Sequence, residues 1–132
     1  MSTTFSTLSN GLRDRLRILV ADDHEVLRAA VCGQLVRLGH RVVEAANGRA
    51  AVEVAAQEPF DLVLLDIQMP EMDGFTAARL IRAKSRGPSP RIVGISGEPV
   101  ESRDFADAGM DDFVLKPVRQ IELAQILSHS LV

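Results

Sequence analysis

The chain has 132 residues, of which 46% are hydrophobic and 25% are charged, as in an ordinary globular domain with its own core. Fifteen basic and eighteen acidic residues give a net charge of −3, so nucleic acid is not expected as a direct partner. No apolar run is long enough for membrane insertion, and the N-terminus lacks a signal-peptide pattern. These features favour a single cytoplasmic domain.

The start of the chain differs from the rest. Six of the first ten residues are Ser or Thr and no hydrophobic period is present, which predicts a flexible tail or linker over 1–14. The folded domain is predicted at 15–132. A single cysteine, Cys32, excludes an internal disulfide, and the apolar helical pattern around it predicts a small buried core residue.

Strand and helix patterns alternate five times after residue 15. Such alternation predicts a parallel sheet with right-handed crossovers and helices on both faces. The expected fold is a flavodoxin-like (βα)5 doubly wound α/β domain with strand order 2-1-3-4-5. The predicted strands are 16–21, 41–45, 62–65, 92–95 and 113–115, and the predicted helices are 24–38, 48–57, 74–85, 100–108 and a last one carrying Leu123, Ile126, Leu127 and Leu131.

Local signals mark several of these boundaries. The first helix has Leu27, Val31, Leu35 and Leu38 at helical spacing, and a glycine directly after Leu38 closes it. Asn47 is the expected N-cap of the second helix.

The stretch from Asp61 to Gly74 organises the chain. The run 62–65 has no polar residue on either face, which predicts a strand buried on both sides. Asp66 follows where this strand ends, and a carboxylate in that place needs donors, a cation or a proton to be tolerated. Pro70 stiffens the loop beside it. Asp66 is therefore the first candidate for a functional residue.

Polar side chains follow four of the predicted strands. Asp22 and Asp23 come after the first strand, Asp66 after the third, Ser96 after the fourth and Lys116 after the fifth. In a 2-1-3-4-5 sheet these strands are consecutive neighbours, so three carboxylates, a hydroxyl and an ammonium are expected to converge on one patch. The second strand, at the edge, ends in two alanines instead.

Three clustered carboxylates repel one another unless a cation lies among them. An all-oxygen donor set suits Mg²⁺, with Mn²⁺ as the alternative. Asp23 and Asp66 are suited to bind the ion directly, Asp22 through a water and Gln68 through its backbone carbonyl.

Phosphoryl transfer is the chemistry that this set of groups favours. One oxygen of Asp66 stays free to attack a phosphorus centre and form an acyl phosphate. Such a transfer needs in-line positioning and neutralisation of the equatorial oxygens, which the ion, the Lys116 ammonium and the Ser96 hydroxyl would supply.

Four short motifs at strand ends resemble those of the receiver (response-regulator) domains of two-component signalling. Each motif is weak alone, but together, in this order, they are highly specific, and the resemblance covers 16–131. The motifs are Asp22-Asp23, Asp66-Ile67-Gln68-Met69-Pro70 with Met72-Asp73-Gly74, Ser96-Gly97 and Lys116-Pro117.

This resemblance implies a role for each motif. Asp66 is expected to take a phosphoryl group from a kinase phosphohistidine within a phosphorelay, with Mg²⁺ required. Lys116 and Ser96 are expected to sense the phosphoryl group, and Phe113, three residues before the lysine, to act as a rotameric switch. The resemblance also implies a cis Lys116–Pro117 bond and a response on the face formed by the fourth strand, fourth helix and fifth strand.

Simpler explanations exist for single residues. Asp22 and Asp23 could only cap the first helix, Ser96 could be a turn residue, and Phe113 could be part of the core. At the level of function, the alternatives are a Mg²⁺-dependent aspartyl-phosphate phosphatase and a docking module that is never phosphorylated. A flavin or nucleotide binder is disfavoured, because two acids replace the Gly-rich phosphate loop after the first strand.

The expected partners follow from the resemblance. They are a histidine kinase, or the kinase core of the same chain if the domain belongs to a hybrid histidine kinase, and a histidine phosphotransfer protein. Docking is expected beside the first helix. The domain is not expected to be an enzyme with a separate substrate, and the sequence leaves open whether it works alone or within a larger kinase.

Overall fold

The computed structural model describes residues 15–130; the predicted tail at 1–14 and the predicted core residue Leu131 lie outside the described residues. Between these limits five strands alternate with five helices, as predicted. The strands are β1 (Arg17–Ala21), β2 (Arg41–Ala45), β3 (Leu62–Asp66), β4 (Arg91–Ser96) and β5 (Asp112–Leu115), and the helices are α1 (Glu25–Arg37), α2 (Gly48–Gln57), α3 (Gly74–Lys84), α4 (Ser102–Asp107) and α5 (Gln120–Ser130).

The strands form one parallel sheet in the order β2-β1-β3-β4-β5, which confirms the predicted flavodoxin-like topology. In its register, Asp66 of β3 lies opposite Ile95 of β4, and Ser96 lies opposite Leu115 of β5. The carboxyl ends of these strands therefore stand at one edge of the sheet. This is the edge where the sequence predicts converging polar residues.

Two apolar clusters cover the two faces of the sheet. On one face α2 and α3 pack against residues such as Leu19 and Val63, and on the other α1 and α5 pack against Ile18 and Leu64. Strand β3 is buried along its whole length, as its unbroken apolar run predicts. Because β3 is covered on both faces, its sequence needs no polar alternation.

Helix α1 buries less of its apolar surface than its spacing suggests. Cys32 and Leu35 are buried, which confirms the prediction for the cysteine. Leu27 and Leu38, however, are 41% and 59% exposed. Leu38 is the C-cap residue, past the last turn that faces the sheet, and Leu27 lies in the first turn, at the rim of an open groove.

Side-chain caps fix where α2 and α3 begin. The Asn47 side chain accepts the Ala50 N–H at 2.8 Å, as predicted for the N-cap of α2. The Asp73 side chain accepts the Thr76 N–H at 2.8 Å and starts α3 in the same way. Both caps satisfy amides that the helix itself leaves without partners.

Gly74 begins α3 directly against the end of β3. A Cβ at this position would lie 2.6 Å from the Ile67 Cα and still closer to the Asp66 carbonyl oxygen. The Gly74 N–H donates to the Ile67 carbonyl at 2.8 Å. The turn before α3 thus packs onto the backbone of the candidate acid and leaves no space for a side chain.

Candidate functional site

Three carboxylates meet at the carboxyl edge of the sheet. Asp66 is the last residue of β3 and is 1% exposed, whereas Asp22, which directly follows β1, is 5% exposed. Asp23 is exposed to solvent. One oxygen from each of the three lies within 4.8 Å of the others. The predicted convergence of the acids is therefore present in the structure.

Asp66 is held by one amide and one ammonium. Its Oδ1 accepts the Gln68 backbone N–H at 3.0 Å, and its Oδ2 pairs with Lys116 Nζ at 3.2 Å. The pKa of Asp66 is raised from 3.8 to about 6, mainly because burial disfavours the charged carboxylate, and the charge of Asp22 acts in the same direction. The Gln68 amide and the Lys116 ammonium lower this pKa and offset part of the effect. The net effect of its surroundings is thus to disfavour the charged form of Asp66.

Asp22 has backbone and side-chain contacts that leave it no role as a helix cap. Its Oδ1 accepts the His24 N–H at 2.8 Å. The N-cap of α1 is His24 itself, whose Nδ1 accepts the Leu27 N–H at 3.4 Å. The simpler explanation of the acid pair, that it only caps α1, is wrong.

Arg28, which no sequence pattern singles out, contacts the acid pair and is itself paired with Glu44. Arg28 Nη1 donates to the Asp22 carbonyl oxygen at 2.8 Å, and Arg28 Nε pairs with Glu44 Oε1 at 2.9 Å. Glu44 lies one residue before the end of β2. No spacing pattern marks either residue, since the contact depends on β2 lying beside β1.

Ser96 is buried and its hydroxyl is engaged within its own loop. The Oγ donates to the Glu98 carbonyl at 2.6 Å and accepts the Glu98 N–H at 3.1 Å. Local hydrogen bonds of this kind are the turn role foreseen as the simpler alternative. Ser96 nevertheless lies at the predicted edge, and its carbonyl accepts the Lys116 backbone N–H at 2.7 Å.

Phe113 lies in β5 and is half-buried. Its ring packs against Phe105 of α4, with 5.4 Å between centroids and a tilt of 54°. None of the six residues of α4 is buried, whereas each of the other four helices within 15–130 buries at least two. Helix α4, on the face that the resemblance connects with switching, is therefore lightly packed.

The Lys116–Pro117 peptide bond is cis, as the resemblance implies. Beside it, a groove of about 450 Å³ runs between α1 and the loop after β5. Asp22 and Lys116 are the charged residues of its lining, and its apolar lining residues include Leu27, Val31 and Val118. The groove joins the acid site to the exposed surface of α1.

The residues at this edge fit a hard divalent cation. Their donor atoms are all carboxylate oxygens, the ligands that Mg²⁺ prefers, and the exposed Asp23 leaves one side open to water. Asp66 keeps lone pairs free beyond its two hydrogen bonds, because an ionised carboxylate offers about four acceptor sites. The arrangement can therefore carry a cation and a nucleophilic carboxylate side by side.

A parallel five-stranded domain with an acid cluster and a lysine at one edge is the architecture of receiver domains. The family model for the response regulator receiver domain matches residues 18–128. The chain therefore belongs to the response regulator receiver domain family.

Relatives of two different lengths match the chain. The hybrid signal transduction protein dokA of Dictyostelium discoideum is 38% identical over 112 residues, which are 84% of this chain and 7% of dokA. The two-component response regulator ORR41 of Oryza sativa subsp. japonica is 40% identical over 122 residues, which are 88% of this chain and 94% of ORR41. The chain thus spans a small part of one relative and nearly all of the other.

Solved structures agree with the family. The receiver domain of the sensor histidine kinase PA1611 of Pseudomonas aeruginosa PAO1, with a magnesium ion in its active site cleft, superimposes with a TM-score of 0.80. It is 31% identical, and the match covers 89% of this chain and 98% of that one. The domain is thus homologous to receivers of histidine kinases. Within residues 15–130, no helix has the length and apolar character needed to cross a membrane.

Proposed function

We propose that this receiver accepts a phosphoryl group on Asp66. The observation that carries the proposal is the position of the Asp66 carboxylate, buried at the end of β3 between two further acids and the Lys116 ammonium. A buried carboxylate in such surroundings is costly to maintain, and nucleophilic transfer chemistry gives it a use.

The transfer requires no other nucleophile from the chain. A carboxylate oxygen of Asp66 forms a bond to phosphorus while the P–N bond of a phosphohistidine breaks, and the electron pair of that bond stays on the imidazole nitrogen. Lys116 Nζ, 3.2 Å from Oδ2, is near enough to pair with the transferring oxygens. The Gln68 amide holds the other carboxylate oxygen and so limits rotation of the acid.

Mg²⁺, with Mn²⁺ as the alternative, is the proposed cofactor. Asp23 and Asp66 are proposed as direct ligands, Asp22 as a ligand through water, and Gln68 through its backbone carbonyl. A bound ion supplies positive charge that offsets the repulsion among the acids and the charge of the phosphoryl group. The acid cluster, and the magnesium ion held by the PA1611 receiver, support this assignment.

The proposed response begins at Ser96. To reach a phosphoryl oxygen, its hydroxyl must release the Glu98 carbonyl that it now binds at 2.6 Å. Movement of the loop after β4 would then free space for Phe113 to change rotamer, together with the lightly packed α4. A local charge change would thereby reshape the face formed by β4, α4 and β5.

The proposed donor is a histidine kinase, a kinase core within the same chain, or a histidine phosphotransfer protein. The groove beside α1 supports docking there, because its lining includes Asp22 and Lys116 as well as the exposed Leu27 of α1, and Val26 of the same helix is also exposed. Kinase and phosphotransfer partners of this kind are cytoplasmic, and we propose the same location for this domain. Its only catalytic part is proposed to be in its own phosphorylation and dephosphorylation.

The first test is the intact mass of the protein after incubation with a small acyl phosphate, with Mg²⁺ and with a chelator. We expect a single phosphoryl adduct that requires the ion and maps to the peptide containing Asp66. An adduct on another residue, or one indifferent to the chelator, would contradict the proposal. Absence of any adduct, also with a phosphorylated histidine domain as donor, would favour the docking-module alternative.

A further inference from the structure

Asp22 is held through both of its backbone polar groups, the N–H of the Ala21–Asp22 peptide and the carbonyl of the Asp22–Asp23 peptide. The Asp22 N–H donates to the Ala45 carbonyl of β2 at 3.1 Å, and the Asp22 carbonyl accepts from Arg28 Nη1 at 2.8 Å. That carbonyl belongs to the peptide plane from which both acid side chains diverge. The orientation of this plane therefore decides where the two carboxylates lie relative to Asp66.

Arg28 is itself anchored to the sheet. Its Nε binds Glu44 Oε1 at 2.9 Å, so the guanidinium joins the edge strand β2 to the acid turn through separate N–H groups. The Arg28 side chain is only 15% exposed, compared with 49% for Glu44. A planar guanidinium held at two points has little freedom, which makes it suited to fix a backbone carbonyl.

If Arg28 acted only through its positive charge, it would weaken the binding of a cation at the acid cluster. The Arg28 guanidinium, bound to the Asp22 carbonyl, would repel a divalent ion at the acid cluster, although its partner Glu44 offsets part of this repulsion. An arginine that served only as a charge would thus weaken metal binding. One that orients the acid pair would strengthen it, as do groups around metal ligands in general.

We propose that Arg28, anchored by Glu44, is a positioning residue for the divalent-cation site and acts through the Asp22–Asp23 peptide. This inference rests on the proposed function, because it concerns the affinity of the proposed ion. It also assigns a role to the edge strand β2, which places no side chain in the acid cluster.

The decisive variant is the double substitution Arg28→Gln with Glu44→Gln, which leaves the net charge unchanged. We expect its dissociation constant for Mn²⁺, followed by the spin-resonance signal of the free ion, to rise about tenfold. Mg²⁺ calorimetry should give the same shift. The single variant Arg28→Gln should also bind more weakly, although it makes the site more negative.

A matched control lies at the amino end of the parallel strands, away from the acid cluster. Arg17 and Glu58 form an ion pair of 2.8 Å, and Arg17→Gln should leave the metal affinity unchanged. Arg28→Lys should bind Mn²⁺ nearly as weakly as Arg28→Gln, since an ammonium lacks the planar fork that binds two acceptors at fixed angles. At saturating Mg²⁺ the phosphorylation rate of the double variant should approach that of the wild type.

The outcomes separate this inference from the proposed function. Equal or tighter ion binding by Arg28→Gln, in protein that unfolds cooperatively in chelator, would overturn the positioning role. An equal loss of affinity in Arg17→Gln would do the same. Absence of phosphorylation in the wild type, despite ion binding, would instead contradict the role of Asp66 and leave the Arg28 result intact.

Discussion

Asp66→Asn is expected to accept no phosphoryl group and yet to be more stable than the wild type without metal. The amide cannot act as the nucleophile, so the Mg²⁺-dependent adduct should disappear. The same change removes a charge that burial and the neighbouring Asp22 disfavour. The asparagine oxygen can still accept the Gln68 N–H, and the partly exposed Lys116 ammonium remains in contact with water.

The gain in stability should depend on pH. The pKa of Asp66 is raised from 3.8 to about 6 on folding, so well below pH 3.8 the group is protonated in both states. As the pH rises to 6, the unfolded chain loses this proton first, and the wild type loses stability relative to the variant. Above pH 6 the difference should level off at about 3 kcal/mol, the free-energy equivalent of this pKa shift.

Urea unfolding of both proteins in chelator, at pH 4.5 and at pH 7.5, measures this difference. Asp73→Asn is the control, because Asp73 is an exposed N-cap whose side chain accepts the Thr76 N–H, and asparagine caps equally well. Saturating Mg²⁺ should narrow the gap at pH 7.5 by stabilising the wild type. A variant less stable than the wild type at pH 7.5 would contradict the prediction.

Gly74→Ala is expected to lower the free energy of unfolding by about 3 kcal/mol or more, because the new methyl group meets backbone that cannot rotate away. The clash is with the Ile67 Cα at 2.6 Å and with the carbonyl oxygen of Asp66. Any relaxation displaces the end of β3, so the rate of phosphorylation should fall as well. Chemical denaturation and intact mass measure the two effects.

Gly33→Ala provides a matched control for this substitution. Gly33 lies within α1 with nothing within 4 Å of its Cβ position, so alanine should stabilise the domain by up to about 1 kcal/mol. If the free energy of unfolding of Gly74→Ala lay within about 1 kcal/mol of the wild-type value, the close contact between α3 and β3 would not exist in solution.

The sequence predicted the fold and the acid cluster because both follow from short-range patterns. The apolar run of β3 and the regular alternation of elements indicate a doubly wound parallel sheet, and the strand order usual for that fold brings the ends of β1, β3, β4 and β5 together. Asp66 and Lys116 could thus be predicted as neighbours although 50 positions separate them. The roles of the site residues in phosphorylation remain predictions.

The sequence could not reveal features that depend on contacts between side chains. The Arg28–Glu44 pair exists only because β2 lies beside β1, and the alanines at the end of β2 gave no sign of it. The Ser96 hydroxyl could have pointed to the acid site, and its bonds to Glu98 could be identified only from coordinates. The exposure of Leu27 likewise depends on the groove, which helical spacing cannot anticipate.

The light packing of α4 has a consequence for how the domain can carry a signal. Its ring contact is the one between Phe105 and Phe113, and none of its residues is buried, so in the response proposed above two placements of this helix would differ by only a few kcal/mol. Inverting a 1:99 mixture requires about 5.5 kcal/mol of preference for the minor state. A helix with a buried apolar face would require a much larger free-energy preference, because its movement would expose that face to water. In the proposed response, the light packing of α4 would therefore allow a single covalent modification to shift this equilibrium.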